Sequence, residues 1–223
     1  MRMRPDKAHV PKLHVVFKAT KFQTAGDWHD QEERQLWDDW VVVSFQSNSW
    51  VEAETHMYGL KEVMGPINDH LELENELKGT SLCGVSVEDN LSSHQTKAVF
   101  DLWREEPKNF GTLEFVPANM TDIIQVIDRH IGVIYKKSVY MAVRKELMRR
   151  LQWARQEAGR ADGVTIPLLA PCEKRIIITK AIPDCHERLI NSNAHERAFI
   201  ATATWMPISH LVRDKSSMGM ASR

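Results

Sequence analysis

Cysteine is scarce in this chain of 223 residues: there are three, Cys83, Cys172 and Cys185. None pairs in a C-x-x-C and the number is odd, which argues against a disulfide framework and a zinc site, so a reducing compartment is the simpler reading. Long apolar runs are lacking too. No window of about eighteen residues is apolar and uncharged throughout, so no membrane-spanning helix is expected. Met1-Arg2-Met3-Arg4-Pro5 does not lead into an apolar stretch, so no secretory signal is expected. There is no excess charge of one sign: the formal net charge is −1 and the pI about 6.8. A free-standing DNA-binding domain is usually basic, so overall charge counts mildly against one. Internal repeats and low-complexity tracts are also missing.

What is present is ordinary globular material, 43% hydrophobic and 26% charged. The length suffices for one core with a helical appendage. Residues 10–18 alternate weakly and are rich in β-branched side chains, which predicts a strand. A polar stretch over 19–38 predicts a loop with a short helix around 31–37, and the apolar run 40–45 predicts a second strand. Residues 51–77 predict a helix, with Ser47, Asn48 or Ser49 as cap and Glu52 available for a capping box. Pro66 predicts a break or kink near Gly65. A buried strand follows over 81–87, then a helix capped by Ser92 or Ser93 running to about 104, then a strand over 111–116 stopped by Pro117. From residue 121, Ile124, Ile127, Ile131 and Ile134 recur at helical spacing, and helical signals persist to Gly159 with a break near Gly132. Gly159, Gly163, Pro167 and Pro171 mark a linker, and residues 173–192 and 194–203 predict helices, with Pro183 at a boundary between two pieces. The tryptophans, including Trp50, Trp103 and Trp153, read as core or helix-packing residues. Strands alternating with helices give an α/β class.

Two acidic frames carry the chemistry. In the first, the apolar run Val85-Ser86-Val87 leads through Glu88 into Asp89-Asn90, with His94 five residues after Asp89. In the second, Phe115-Val116-Pro117 leads through Asn119, Thr121 and Gln125 to Asp128. Carboxylates from separate elements, meeting at one spot, are what a two-metal phosphoryl-transfer site requires. Each residue also has a plainer reading. Asp89 suits a turn or an N-cap. Asp128 suits a solvated acid or a pair with Arg129 or Lys136. His94 suits a first-turn histidine with a local hydrogen bond. A basic run of Lys136, Lys137, Arg144, Lys145, Arg149, Arg150 and Arg155 reads as a solvated helix face or as a surface that tracks phosphates.

These frames resemble the catalytic domain of DDE-type transposases of the pogo, Tigger and jerky (centromere protein B-like) branch. Asp89-Asn90 with His94 is similar to that family's "DN…H" after a strand. Pro117, Asn119, Thr121, Gln125 and Asp128, followed by Lys136, Lys137 and Tyr140, are similar to its "PPN-T-T…LQP-x-D" and "K…Y" helix. Val10-Pro11-Lys12-Leu13-His14-Val15-Val16-Phe17-Lys18 resembles its "PP…FK" strand, and Ser49-Trp50-Val51-Glu52 a helix start of the family. The resemblance covers residues 10–150 and extends loosely to about 210. It implies an RNase H-like mixed sheet flanked by helices, incomplete because the first strands are missing, with C-terminal helices. The divisions it suggests are a partial catalytic core over 10–158, a linker and helical extension over 159–212, and a disordered tail over 213–223.

The resemblance further implies Asp89 and Asp128 as catalytic acids and ligands of Mg2+ or Mn2+, weakly bound. Asn90, His94 and Gln125 support them, and Lys136, Lys137, Arg144 and Lys145 contact DNA. It implies DNA as partner, no membrane, and a nuclear location. Val126 and Ala118 stand where the family has proline, and Arg129 and His130 where it has a glycine-containing turn. Asp6 is the only acid ahead of the "PP…FK" segment, so the first catalytic acid and its strand are expected to be absent and the isolated chain inactive as a recombinase. The rival expectation is a non-enzymatic domesticated-transposase module that binds protein partners through the long helix at 121–158.

Overall fold

The run Val41-Val42-Val43 followed by Phe45 demands burial on both sides, and it becomes the centre of the first sheet. The computed structural model describes residues 12–48, 51–79, 85–88, 91–92, 94–105, 112–115, 130–159, 163–165, 168–192, 194 and 197–198. Strand β3 (Val41–Gln46) is buried at every position. It lies between β1 (Leu13–Lys18), which pairs with it in parallel, and the short β2 (Gln23–Thr24), which pairs antiparallel. A parallel central strand covered on both faces reads as a continuous apolar run, unlike the alternation of a half-exposed strand. Trp28, Val41, Val43 and Phe45 form its core, with Trp28 stacked on Phe45 at 3.8 Å between ring centroids.

Helix α1 (Gln31–Gln35) is started by Asp30, whose carboxylate accepts from the Glu33 N–H at 2.8 Å. The predicted helix over 51–77 appears as α2 (Ala53–Gly59), a π-helical turn over Leu60–Met64, and α3 (Gly65–Lys78). Pro66 sits in the first turn of α3, directly after the π-helical turn, and its missing N–H withholds one bond from the helical turn before it. The expected interruption is thus realised as a wide turn rather than a chain break. The capping expectation is corrected: α2 has no side-chain cap bond, and the Glu52 carboxylate accepts from the side chains of Asn48, at 2.9 Å, and Gln46. Gly79 ends α3 at φ 63, a left-handed conformation that favours glycine.

A second sheet pairs β4 (Val85–Glu88) in parallel with β5 (Thr112–Phe115), so that Glu88 lies opposite Phe115 at their shared C-terminal edge. Helix α4 (Lys97–Glu105) lies between them in the chain. Its apolar stripe, Val99, Leu102 and Trp103, packs with Leu60 into a core flanked by Met57, Met64 and Leu113. Thr96, rather than Ser92 or Ser93, caps it, its hydroxyl accepting from the Val99 N–H at 3.4 Å.

The C-terminal part is a pair of long helices, α5 (Gly132–Ala158) and α6 (Pro171–Asn191). They run antiparallel: Tyr135 bonds His186, Ser138 bonds Arg188, and Arg150 near the end of α5 bonds Glu173 near the start of α6. Ile131, Cys185, Leu189 and Ala198 form a third core. Pro183 does not divide two pieces as expected. It lies inside α6, fully buried, and packing outweighs the bond that Thr179 forgoes for want of a proline N–H. Trp28 and Trp103 are buried, but Trp153 is 57% exposed, contrary to its expected packing role. No helix among the described residues is long and apolar enough to cross a membrane. The architecture is mixed α/β, with a small three-stranded mixed sheet and helices.

A candidate metal centre and a basic helix face

Three side chains that are distant along the chain meet at the end of β4. Glu88 closes the strand, His56 projects from α2, and His94 sits in the turn that precedes α4. That turn is held by the His94 N–H donating to the Leu91 carbonyl at 2.9 Å and the Gln95 N–H to Ser92 at 3.3 Å. His56 Nε2 lies 3.1 Å from Glu88 Oε2, and His94 Nδ1 lies 3.5 Å from the same oxygen. The two imidazoles stack with centroids 4.1 Å apart and planes 17° from parallel. Their side chains expose 11% and 14%, and that of Glu88 9%.

The His56–Glu88 approach is of ion-pair length but lacks hydrogen-bond orientation. His56 Nε2 and Glu88 Oε2 are both shielded from solvent, without a hydrogen-bond partner among the described residues. The other carboxylate oxygen, Oε1, accepts from the Ser86 hydroxyl at 3.4 Å. A buried carboxylate so placed calls for a compensating positive charge. Either a protonated imidazole or a cation held by all three donors supplies it.

Behind this cluster stands His14 on β1. Its Nε2 bonds the Ser44 hydroxyl at 2.7 Å. Burial, with a smaller contribution from the nearby His56, pushes the His14 imidazole down to about 4, so it is neutral at physiological pH. Gly59 of α2 approaches so closely that a Cβ there would lie 2.5 Å from His14 Nδ1.

Of the residues singled out in the sequence, His94 belongs to this cluster. Asp89, Asn90, Gln125 and Asp128 lie outside the described residues. Lys136, Lys137, Arg144 and Lys145 are all exposed on α5. That outward face also carries Val133, Ile134, Tyr140, Met141 and Met148. The one acid among residues 133–155, Glu146, is drawn into pairs with Arg149 and Arg150, whose hydrogen bonds hold its carboxyl down at about 2. The face is therefore basic and apolar together, although the whole chain is nearly neutral. An open groove of about 790 Å³ between α5 and α6 borders it, lined by Ile134, Lys137, Met141, Lys145, Asp184 and Arg188.

His56 and Glu88 escaped the sequence reading. Glu88 had a legible signal, since an acid as the last residue of a buried strand must face either solvent or a partner. His56 had none, because a histidine within an amphipathic helix is indistinguishable from an ordinary packing residue. No family model, curated protein or solved structure matches the chain.

Proposed function

We propose that this chain is a DNA-binding part of a DDE-type transposase catalytic domain, built on an RNase H-like sheet and acting in the nucleus. The observation that carries the reading is the outward face of α5. Lys136, Lys137, Arg144 and Lys145 are exposed there, and no exposed acid opposes them between residues 133 and 155. Cations along one helix can neutralise successive phosphates, and Tyr140, exposed among them, offers a ring to unpaired bases. The second sheet lends support. β4 and β5 are parallel and end side by side, and both acidic frames continue in the chain from those ends. Parallel α/β sheets commonly place functional groups beyond the carboxyl ends of their strands.

In this reading Asp89 and Asp128 hold Mg2+ or Mn2+, assisted by Asn90, His94 and Gln125. Asp89 and Asp128 are two carboxylates, fewer than the set that holds two metal ions for strand cleavage. Nicking of supercoiled plasmid with either ion should therefore be undetectable. Metal-dependent nicking lost on Asp89→Asn would refute the assignment of inactivity. DNA binding is tested by fluorescence anisotropy on single- and double-stranded oligonucleotides across a salt series. Reversal of Lys136, Lys137, Arg144 and Lys145 to glutamate should weaken binding at least tenfold. It should also flatten the dependence on salt, by roughly one unit of slope for each phosphate no longer neutralised. Undiminished affinity in that variant would remove the reading.

A second reading, a module that docks protein partners, is favoured by the apolar members of the same face: Met141 and Met148 are each at least 45% exposed. Met141→Ala with Met148→Ala would abolish partner capture while leaving salt-dependent DNA affinity intact.

A further inference from the structure

We propose that His56, Glu88 and His94 form a binding site for a divalent transition-metal ion of the zinc class, separate from any Mg2+ bound by Asp89 and Asp128. The donor atoms of the three side chains lie within 4.8 Å of one another. Ligands about 2.0–2.1 Å from a tetrahedral zinc ion sit about 3.3 Å apart. The two edges that meet at Glu88 Oε2, 3.1 and 3.5 Å, bracket that spacing, and the stacked imidazoles must turn apart for both lone pairs to reach one ion. The carboxylate oxygen and the His56 nitrogen are buried and make no hydrogen bond among the described residues, so their lone pairs are not committed there. Ser86 engages the far oxygen of Glu88 and fixes the carboxylate's orientation, as outer partners of metal ligands do.

The donor set selects the ion. Two imidazoles and one carboxylate suit zinc, cobalt, nickel or ferrous iron, whereas magnesium and calcium prefer oxygen throughout. His14, the nearest further imidazole, is committed to Ser44 and supplies no fourth ligand. Three protein donors leave one position for water or an exogenous ligand. The residues come from α2, the last position of β4, and the turn before α4. An ion there would clamp the segment next to Asp89 onto the helix that packs against the first sheet.

The test uses the full chain, stripped of metal with a chelator and titrated with Co2+ as spectroscopic probe. The expected result is an intense visible absorption of low-coordinate cobalt that saturates at one equivalent and is bleached by Zn2+. At a hundredfold excess over the dissociation constant, Zn2+ should raise the melting midpoint by about 5 °C. His94→Gln, at the partly exposed turn, should lose the cobalt spectrum and weaken zinc at least tenfold, with its far-ultraviolet circular dichroism unchanged. His56→Gln should do the same, but His94→Gln decides the matter if that variant fails to fold. Asp89→Asn and Asp128→Asn should keep the spectrum, which separates this site from the proposed magnesium ligands. A chain that gives no low-coordinate cobalt spectrum overturns the proposal. So does a spectrum that persists in His94→Gln, since the ligands would then lie elsewhere, or one lost in Asp89→Asn.

Discussion

At the scale of single residues, the tightest constraint is where α2 meets β1. Alanine is normally a better helix former than glycine by about 1 kcal/mol, so Gly59→Ala looks favourable from sequence. The His14 ring reverses the sign. It stands 2.5 Å from where the methyl would go and is held there by Ser44. Gly59→Ala should lower unfolding free energy by about 1–3 kcal/mol, the usual cost of overpacking, measured by urea denaturation. His14 also links stability to acidity. Its folded-state value of about 4 lies below the unfolded 6.5, so the unfolded chain binds the proton first. Stability is full above the unfolded value and declines as pH falls towards 4, by on the order of 3 kcal/mol for this group. In the presence of chelator, His14→Gln should show a correspondingly shallower decline between pH 6.5 and 4; an unchanged slope would show that other groups carry it.

At the scale of elements, a buried ion pair ties α1 to α6. Glu33, 4% exposed, accepts two hydrogen bonds from Arg175 at 2.6 and 2.7 Å and one each from the indoles of Trp28 and Trp37. Arg175 also lies over the Trp28 ring, 4.9 Å from its centroid. Arg175→Ala would leave a buried carboxylate without its cation, and the destabilisation should be about 3–5 kcal/mol. In the double variant with Glu33→Leu it should be much smaller, and a full double-mutant cycle by chemical denaturation measures the coupling. None of this was visible in the sequence, because the two residues lie 142 positions apart and no local pattern marks them. Local patterns did locate the elements. Weak alternation and β-branching found β1, an apolar run found β3, a serine cap signal placed α4 within a few residues, and helical signals persisting to Gly159 found α5. What sequence misjudged were competitions decided by tertiary packing: Thr96 as the cap of α4, Pro183 carried inside α6, Trp153 left on the surface.

At the scale of the whole molecule, the α/β class followed from the order of strand and helix signals, while the two separate sheets did not. Pairing depends on which strands meet, and β1 and β3 are joined by only a short strand and a short helix. The candidate metal cluster was one-third legible: His94 stood out by its place five residues after Asp89, whereas its meeting with His56 and Glu88 emerges only in the folded chain. The basic run of α5 was legible in full, since a charge pattern on one helix needs no tertiary knowledge. Helix α5 has not one fully buried residue among its 27, whereas every residue of β3 is buried. Sparse burial means a low free energy of local opening. Trypsin, given the intact protein in native buffer, should therefore nick first after lysine or arginine between residues 136 and 155, and mass spectrometry should find the fragment bearing β1 and β3 persisting long afterwards. The face proposed to meet a partner is thus also the one expected to be cut most readily, and a bound partner would lengthen the chain's survival by shielding it.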